Sequence, residues 1–213
     1  MNKLFKPDVR FNKLAMSIRL ISESSKNESE YNMMAKIKST LNLEELGAGC
    51  FARVYVCPWD KSKAIKISTR LDDGWLAYAA LCIKYADMGN PLLPKIFHMR
   101  IYSKIYIALI ERYTDVVYNY NPRNKEMCAK LAAINAGILQ RWGVEEEQDM
   151  TYRQYAQAFQ TLLYKEGVRA NDLHTENIMY HYKQKRIVIT DPASGRYSDS
   201  RDKLKSLGVR VAA

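Results

Sequence analysis

The sequence predicts an α+β fold: a five-stranded antiparallel sheet with one embedded helix in the first half, and a smaller, mainly helical region in the second. Three observations carry that prediction. Short runs of alternating polarity, bounded by turn residues, recur between Leu43 and Tyr113, and from Met127 onward apolar residues return at helical spacing. The composition, 47% apolar and 26% charged, is that of a chain able to bury a core, which excludes global disorder. A length of 213 residues suits one domain, or one domain of two lobes.

Residues 1–42 read as a helical extension interrupted at Ser22–Glu30 (SESSKNESE), a polar stretch expected as a loop or hinge. Three strands follow: LEELGAGCFARVYV supplies two, and AIKIS, beyond the Pro58–Lys61 turn, the third. Asp72 and Asp73 can cap a helix running to about Met88, with Trp75, Ala79, Cys82, Ile83 and Ala86 on one face and Gly89-Asn90-Pro91 as its stop. KIFHMRIY and KIYIALIERY, joined near Ser103-Lys104, complete the sheet. Met127, Leu131, Ile134, Ile138 and Trp142 then mark a helix. Thr151-Tyr152-Arg153-Gln154 has a capping-box pattern that opens another through Tyr155, Phe159, Leu162 and Leu163, with Gly167 as its stop. VRANDLHTENIMY reads as a loop entering a hairpin, which turns at His181–Lys185 and returns as RIVITD.

Lys+Arg 33 against Asp+Glu 23 leave a net charge of +10. Half of it lies in residues 181–213, where eight basic residues meet three acidic ones. Without an RNP, helix-turn-helix or finger pattern, this charge points to solubility and attraction of polyanions, and nucleic acid is not expected as the primary ligand. Cys50, Cys57, Cys82 and Cys128 form no C-x-x-C pair, so neither a zinc site nor a disulfide framework is indicated. No apolar run approaches a membrane span and Met1–Arg10 lacks a signal-peptide core, so a cytoplasmic protein is expected.

The chemistry-bearing residues are spread over both halves. Gly47-Ala48-Gly49, at a strand junction, suggests a tight turn with close backbone approach. Lys66, between apolar neighbours on the third strand, could aim its ammonium at phosphates held beneath that turn. Downstream, Asp172 and Asn177 stand five residues apart in one loop, and Asp191 follows across the hairpin. Each has an ordinary use: a glycine hairpin, a snorkelling lysine, an Asx turn, a loop cap, a strand-end turn. In this order they also fill the phosphoryl-transfer template, in which Asp orients the acceptor hydroxyl, Asn and a second Asp hold Mg²⁺, and a strand Lys neutralises phosphate charge.

On LGAGCFARVY, AIKI, NDLHTENIM and ITDPAS, the chain resembles the protein-kinase-like fold, and within it the early serine/threonine kinases of T-seven-like phages, over roughly Leu43 to Ser194. The resemblance implies a minimal bilobal architecture. Residues 43–113 would be an N-lobe with a hinge and residues 114–213 a reduced C-lobe carrying the catalytic loop, the metal Asp and the basic tail. It implies ATP and Mg²⁺ as cofactors, bacterial host proteins such as RNA polymerase, ribonucleases or translation factors as substrates, autophosphorylation, and a site in the cytoplasm of the infected host. Asp172 would be the catalytic base, Lys66 the phosphate contact, and Asn177 and Asp191 the metal ligands. Gly47, Ala48, Gly49, Cys50 and Phe51 would cover the triphosphate, with Val54 and Ala64 nearby, and Glu111, Arg112 and Tyr113 would read adenine through main-chain groups.

Departures from the family pattern carry information. The third loop glycine is Ala52, Ala170-Asn171 replaces His-Arg before the catalytic Asp, and Asp191-Pro192-Ala193 replaces D-F-G. His174 stands where protein kinases commonly carry Lys and is expected to contact the γ-phosphate. The helix after Lys66 contains no glutamate, so the usual Lys–Glu pair must be replaced or absent. Residues 192–213 leave little room for an activation segment, and Ser194, Ser198 and Ser200 are candidate autophosphorylation sites or part of a frayed end. Two other functions remain open: a pseudokinase that occupies a host factor, and a small-molecule phosphotransferase.

Overall fold

The expected runs form strands and helices in the computed structural model, which describes residues 8–49, 52–69, 71, 74–115, 125–139 and 149–212. In chain order they are α1 (Val9–Ser24), α2 (Glu30–Thr40), β1 (Glu45–Ala48), β2 (Ala52–Val56), β3 (Lys63–Ser68), α3 (Gly74–Lys84), β4 (Ile96–Ile101), β5 (Tyr106–Glu111) and β6 (Thr114–Asp115). α4 (Lys125–Leu139), α5 (Met150–Lys165), β7 (Ile178–His181), β8 (Arg186–Ile189), α6 (Ser200–Ser206) and β9 (Arg210–Val211) follow, with 3-10 turns at Ala86–Met88 and Thr175–Asn177. The α+β class holds. The chain divides into two compact units, one of Met1–Ile83, Lys95–Arg112 and Arg196–Ala213, the other of Lys84–Pro94 and Tyr113–Gly195.

In the first unit, β1 to β5 pair antiparallel in the order β1-β2-β3-β5-β4. A sixth strand corrects the five expected: β9 lies parallel to β4, with Arg100 opposite Arg210 and Ile101 opposite Val211. The period-two pleat sorts the side chains onto two faces. Ile65, Ile67, Ile107 and Leu109 point into a core with Phe11, Ala15 and Ile18 of α1 and Met34 and Ile37 of α2. Tyr106, Ala108, Met99 and Ile101 point the other way, against Trp75, Leu76, Ala79 and Ala80 of α3, Leu204 of α6 and Val209. The tail expected on the C-lobe is thus part of this unit's core.

Capping explains the two N-terminal helices. Asp8 accepts hydrogen bonds from the N–H groups of Arg10 and Phe11, and Ser29 accepts one from Asn32, so the polar Ser22–Glu30 stretch holds a helix end and the next helix's cap as well as a turn. α3 is shorter than expected, and Gly74 to Ile83 are all buried while its last residue, Lys84, is exposed. Asp72 and Asp73 lie outside the described residues.

In the second unit, α4 and α5 cross where Gly137 meets Ala156. The expected capping box is replaced: Asp149, two residues before Thr151, accepts from the N–H groups of Thr151 and Tyr152. Gly167 ends α5 at a positive φ of 69°, where glycine carries no Cβ penalty. The expected hairpin β7–β8 gains β6 as a third strand. Trp142 lies outside the described residues.

Candidate active site

Strand register arranges the candidate residues of the first unit. Gly47 pairs with Val54, Val54 with Lys66, and Lys66 with Ala108, so one row of the sheet carries the loop glycine, a small apolar residue and the lysine on a common face. Ala64, two residues from Lys66 on the same strand, shares that face. Lys66 is buried, and its Nζ lies 4.4 Å from the centre of the Trp75 ring. That ring stacks on Tyr106 at 5.0 Å and 5°.

The glycine turn differs from its expectation. Gly49 N–H donates to the Ala52 carbonyl at 2.9 Å, but neither Gly47 nor Gly49 has a positive φ. Among the described residues, a Cβ at Gly47 would meet nothing within 4 Å, and one at Gly49 only the Ala52 oxygen at 3.9 Å. The described residues around the turn therefore do not require glycine at either place. Ala48 ends β1, and Cys50 and Phe51 fall outside the described residues.

The expected adenine-reading segment is partly committed to the fold. Glu111 N–H donates to the Lys95 carbonyl and Arg112 N–H to the Ser62 carbonyl, both at 3.0 Å. Recognition of a base by these two residues would thus have to use groups other than their N–H donors. Tyr113, in the second unit, meets the His181 ring edge-on at 6.0 Å.

The second unit holds the carboxylates. Residues 171–177 and 190–194 are laced together by five hydrogen bonds. Asp172 N–H donates to the Pro192 carbonyl at 3.0 Å, and Thr190 donates to the Asn177 carbonyl from its N–H at 2.9 Å and its hydroxyl at 3.2 Å. Asn171 Nδ2 donates to the Ser194 carbonyl at 3.2 Å while its Oδ1 accepts from Ser194 N–H at 2.9 Å. Asp172 and Asn177 thus sit on one segment and Asp191 on its laced neighbour. Pro192 lacks a donor, yet its carbonyl is one rung of this ladder.

Within the loop, Asn177 Nδ2 donates to the Asp172 carbonyl at 2.7 Å and lies 3.0 Å from His174 Nε2. An amide nitrogen only donates, so this contact is a hydrogen bond in the tautomer whose Nε2 accepts. The same Nε2 is 3.7 Å from Asp172 Oδ1. His174 is therefore gathered with Asp172 and Asn177 rather than packed into a core. Asn171 and Ser194 in the second unit, which bracket Asp172 and Asp191, and Trp75 in the first, which meets Lys66, are neighbours of candidate residues that the sequence reading does not identify as such. The expected face with Trp75 on it is the available signal for the last; nothing local marks the Asn171–Ser194 pairing, which joins segments 23 residues apart.

A sheet with an embedded helix and a strand lysine, followed by helices and then a loop and hairpin bearing Asp172, Asn177 and Asp191, defines the class of protein-kinase-like phosphotransferases. The chain belongs to the family described as bacteriophage T7 protein kinase 0.7, whose sequence model matches residues 17–207. No curated protein matches the chain in sequence. Among solved structures it is similar to a thermostable mutant of the aminoglycoside phosphotransferase APH(4)-Ia in apo form, with a TM-score of 0.43 and 11% identity over 80% of this chain and 74% of that one. It is also similar to a mutant of the same phosphotransferase in ternary complex with AMP-PNP and hygromycin B, with a TM-score of 0.44 and 10% identity over 80% and 75%. Among the described residues, no helix is long and apolar enough to cross a membrane.

Proposed function

We propose that the chain transfers the γ-phosphoryl group of ATP to serine and threonine hydroxyls, on bacterial host proteins in the host cytoplasm and on itself. The observation that supports this most is the five-bond ladder holding the Asp172–Asn177 loop against the Asp191 segment. Asp172 accepts the hydroxyl proton as the oxygen attacks the γ-phosphorus, the bond from that phosphorus to the bridging oxygen breaks, and ADP leaves. Lys66 neutralises charge on the remaining phosphates. His174 contacts the γ-phosphoryl oxygens, and Gly47 and Gly49, which the described residues around the turn do not require, leave room for the triphosphate to approach the backbone.

The oxygen donors of Asn177 and Asp191 suit Mg²⁺, a hard cation that keeps several waters and phosphate oxygens in its shell. With its nitrogen committed to the Asp172 carbonyl and His174, Asn177 has its amide oxygen left to meet a cation. When bound, Mg²⁺ would neutralise charge that develops between the β- and γ-phosphates.

The test is incubation with γ-labelled ATP, Mg²⁺ and bacterial lysate. Wild type should label lysate proteins and itself on serine and threonine, chelation of Mg²⁺ should stop the labelling, and Asp172→Ala should lower it by roughly 10²–10⁴-fold. Lys66→Met should also lower it. Equal label in all three chains, or none, would sink the reading.

A further inference from the structure

We propose that Arg100 and Arg210, opposite one another at the open edge of the first unit's sheet, form a binding site for a phosphate dianion, free or carried on a phosphorylated side chain. The site lies on the sheet face opposite Lys66 and stands apart from the kinase reading. Along β4, Met99 and Ile101 face α3, as Lys66 does on β3, whereas Arg100 and Tyr102 alternate onto the α1 face. Arg210 faces the same way, because Val209 and Val211 on either side of it pack toward α3.

Guanidinium groups of α1, β4 and β9 converge here. The Arg100–Arg210 register puts two of them on directly opposite residues of neighbouring strands, about 4.8 Å apart at the backbone. Arg19 of α1 adds another, its guanidinium carbon 5.4 Å from the centre of the Tyr102 ring. Burial raises the pKa of Tyr102, and the charges of Arg100, Arg19 and Arg210 all oppose the rise. Arg19 is neutralised by Glu23 at 2.7 Å. Glu23 is the one acid along α1, β4 and β9, so these elements hold no second carboxylate for Arg100 or Arg210. Arg100 instead donates to neutral acceptors, the Asn12 amide oxygen at 2.6 Å and the Met99 carbonyl at 2.9 Å. Like charges directly opposite destabilise a sheet, and the half-burial of Arg100 weakens the screening of that repulsion. Arg210 is exposed, so an anion reaches the pair from solvent. A carboxylate carries one charge and occupies one guanidinium, as Glu23 does on Arg19. Two guanidiniums without a carboxylate match a phosphoryl group of charge about −2 with its several acceptor oxygens. β9 is the last strand of the sheet, so an extended chain bearing that group has room to run beside it.

The test is a titration of the full chain, without nucleotide, with a fluorescein-labelled Gly-Gly-pSer-Gly-Gly peptide, its unphosphorylated form and inorganic phosphate. The phosphopeptide should bind saturably and shift the Arg100 and Arg210 Nε resonances in ¹⁵N-arginine spectra, and the unphosphorylated peptide should do neither. Arg210→Gln should weaken binding by roughly tenfold, and Arg100→Lys, which keeps the charge but loses the planar fork, by a similar factor. Arg210→Gln removes the repulsion, so without ligand it should unfold no earlier than wild type. Lys66→Met should leave phosphopeptide binding unchanged. Competition separates the sources: inorganic phosphate that displaces the peptide only in large excess assigns the site to phosphorylated chains, equal affinity assigns it to free phosphate, and both support the dianion site. Absence of saturable binding overturns the proposal. So does binding that survives Arg210→Gln but is lost in Lys66→Met, a result that moves the phosphate to Lys66 and leaves the kinase reading standing.

Discussion

Asn171 constrains Asp172 from the neighbouring position, because its side chain both donates to and accepts from Ser194 and so ties the loop's entrance to the segment beyond Asp191. A different residue, away from the site, reports on pH. His98 on β4 is half-buried, its ring stacked on Phe11 of α1 at 5.4 Å and 24°. Burial pushes its pKa below the ordinary 6.5; Arg100 and Lys63 add to the fall and Asp8 opposes it. The unfolded chain then binds this proton more readily than the folded one, so the contribution is fully present above about pH 6.5 and is lost as pH falls toward the folded-state value. Thermal unfolding should show wild type losing more stability than His98→Gln between about pH 7.5 and 5.5, and parallel losses in the two chains would refute it. At this scale, what was legible in the sequence is what short spacing carries: Asp172, His174 and Asn177 come from one loop, and Asp191 follows one hairpin later. The Asn171–Ser194 lock depends on which segments meet after folding, so no local pattern announces it.

Among the elements, the α4–α5 crossing is set by an absent side chain. A Cβ at Gly137 would lie 2.5 Å from the Ala156 Cβ and 3.3 Å from the Arg153 carbonyl oxygen. Replacing glycine by alanine inside a helix gains about 1 kcal/mol of propensity, whereas overpacking a close contact costs about 1–3 kcal/mol. Here neither obstacle can rotate away, since one is a methyl on a helix and the other is backbone, so the steric cost wins. Gly137→Ala should lower the unfolding midpoint, and adding Ala156→Gly should restore part of it. A midpoint raised by Gly137→Ala alone would show that propensity dominates. Helical periodicity located α4 and α5, but it gives no sign of a glycine used for close approach, which is a property of the pair. The same limit explains the start of α5: Thr151 fits a capping-box pattern, yet Asp149 supplies the cap because its carboxylate reaches two N–H groups at once. The alternating runs β1 to β5 were legible because the pleat writes burial into every second residue, whereas the two-residue β6 and β9 are too short to carry a period.

For the molecule as a whole, the basic tail, whose charge the sequence reading assigned to solubility and attraction of polyanions and whose serines it placed at a modification site or frayed end, is structural over residues 196–212. Ala212 N–H donates to the Ile101 carbonyl at 2.8 Å, and Leu204 and Val209 are buried against the sheet face that α3 covers. Ser200, expected as a modification site, has its hydroxyl buried within this packing, whereas Ser194 and Ser198 are exposed. The first unit therefore draws on three separated stretches of chain, and the face bearing Lys66 is completed by residues more than a hundred positions later. A charged arm and a core segment respond oppositely to two substitutions in α6. Lys205 is exposed, and Lys205→Ala removes a charge without touching the core, at a cost within about 0.5 kcal/mol. Leu204 is wholly buried, and Leu204→Ala deletes core volume at about 2–5 kcal/mol, with a loss of ATP binding as the Lys66 face loosens. Denaturant unfolding and ATP titration of the two variants separate the roles: packing requires Leu204→Ala to be the damaging change. If Lys205→Ala instead weakened ATP binding while Leu204→Ala left stability intact, the tail would act through its charge and the sheet would stand without it.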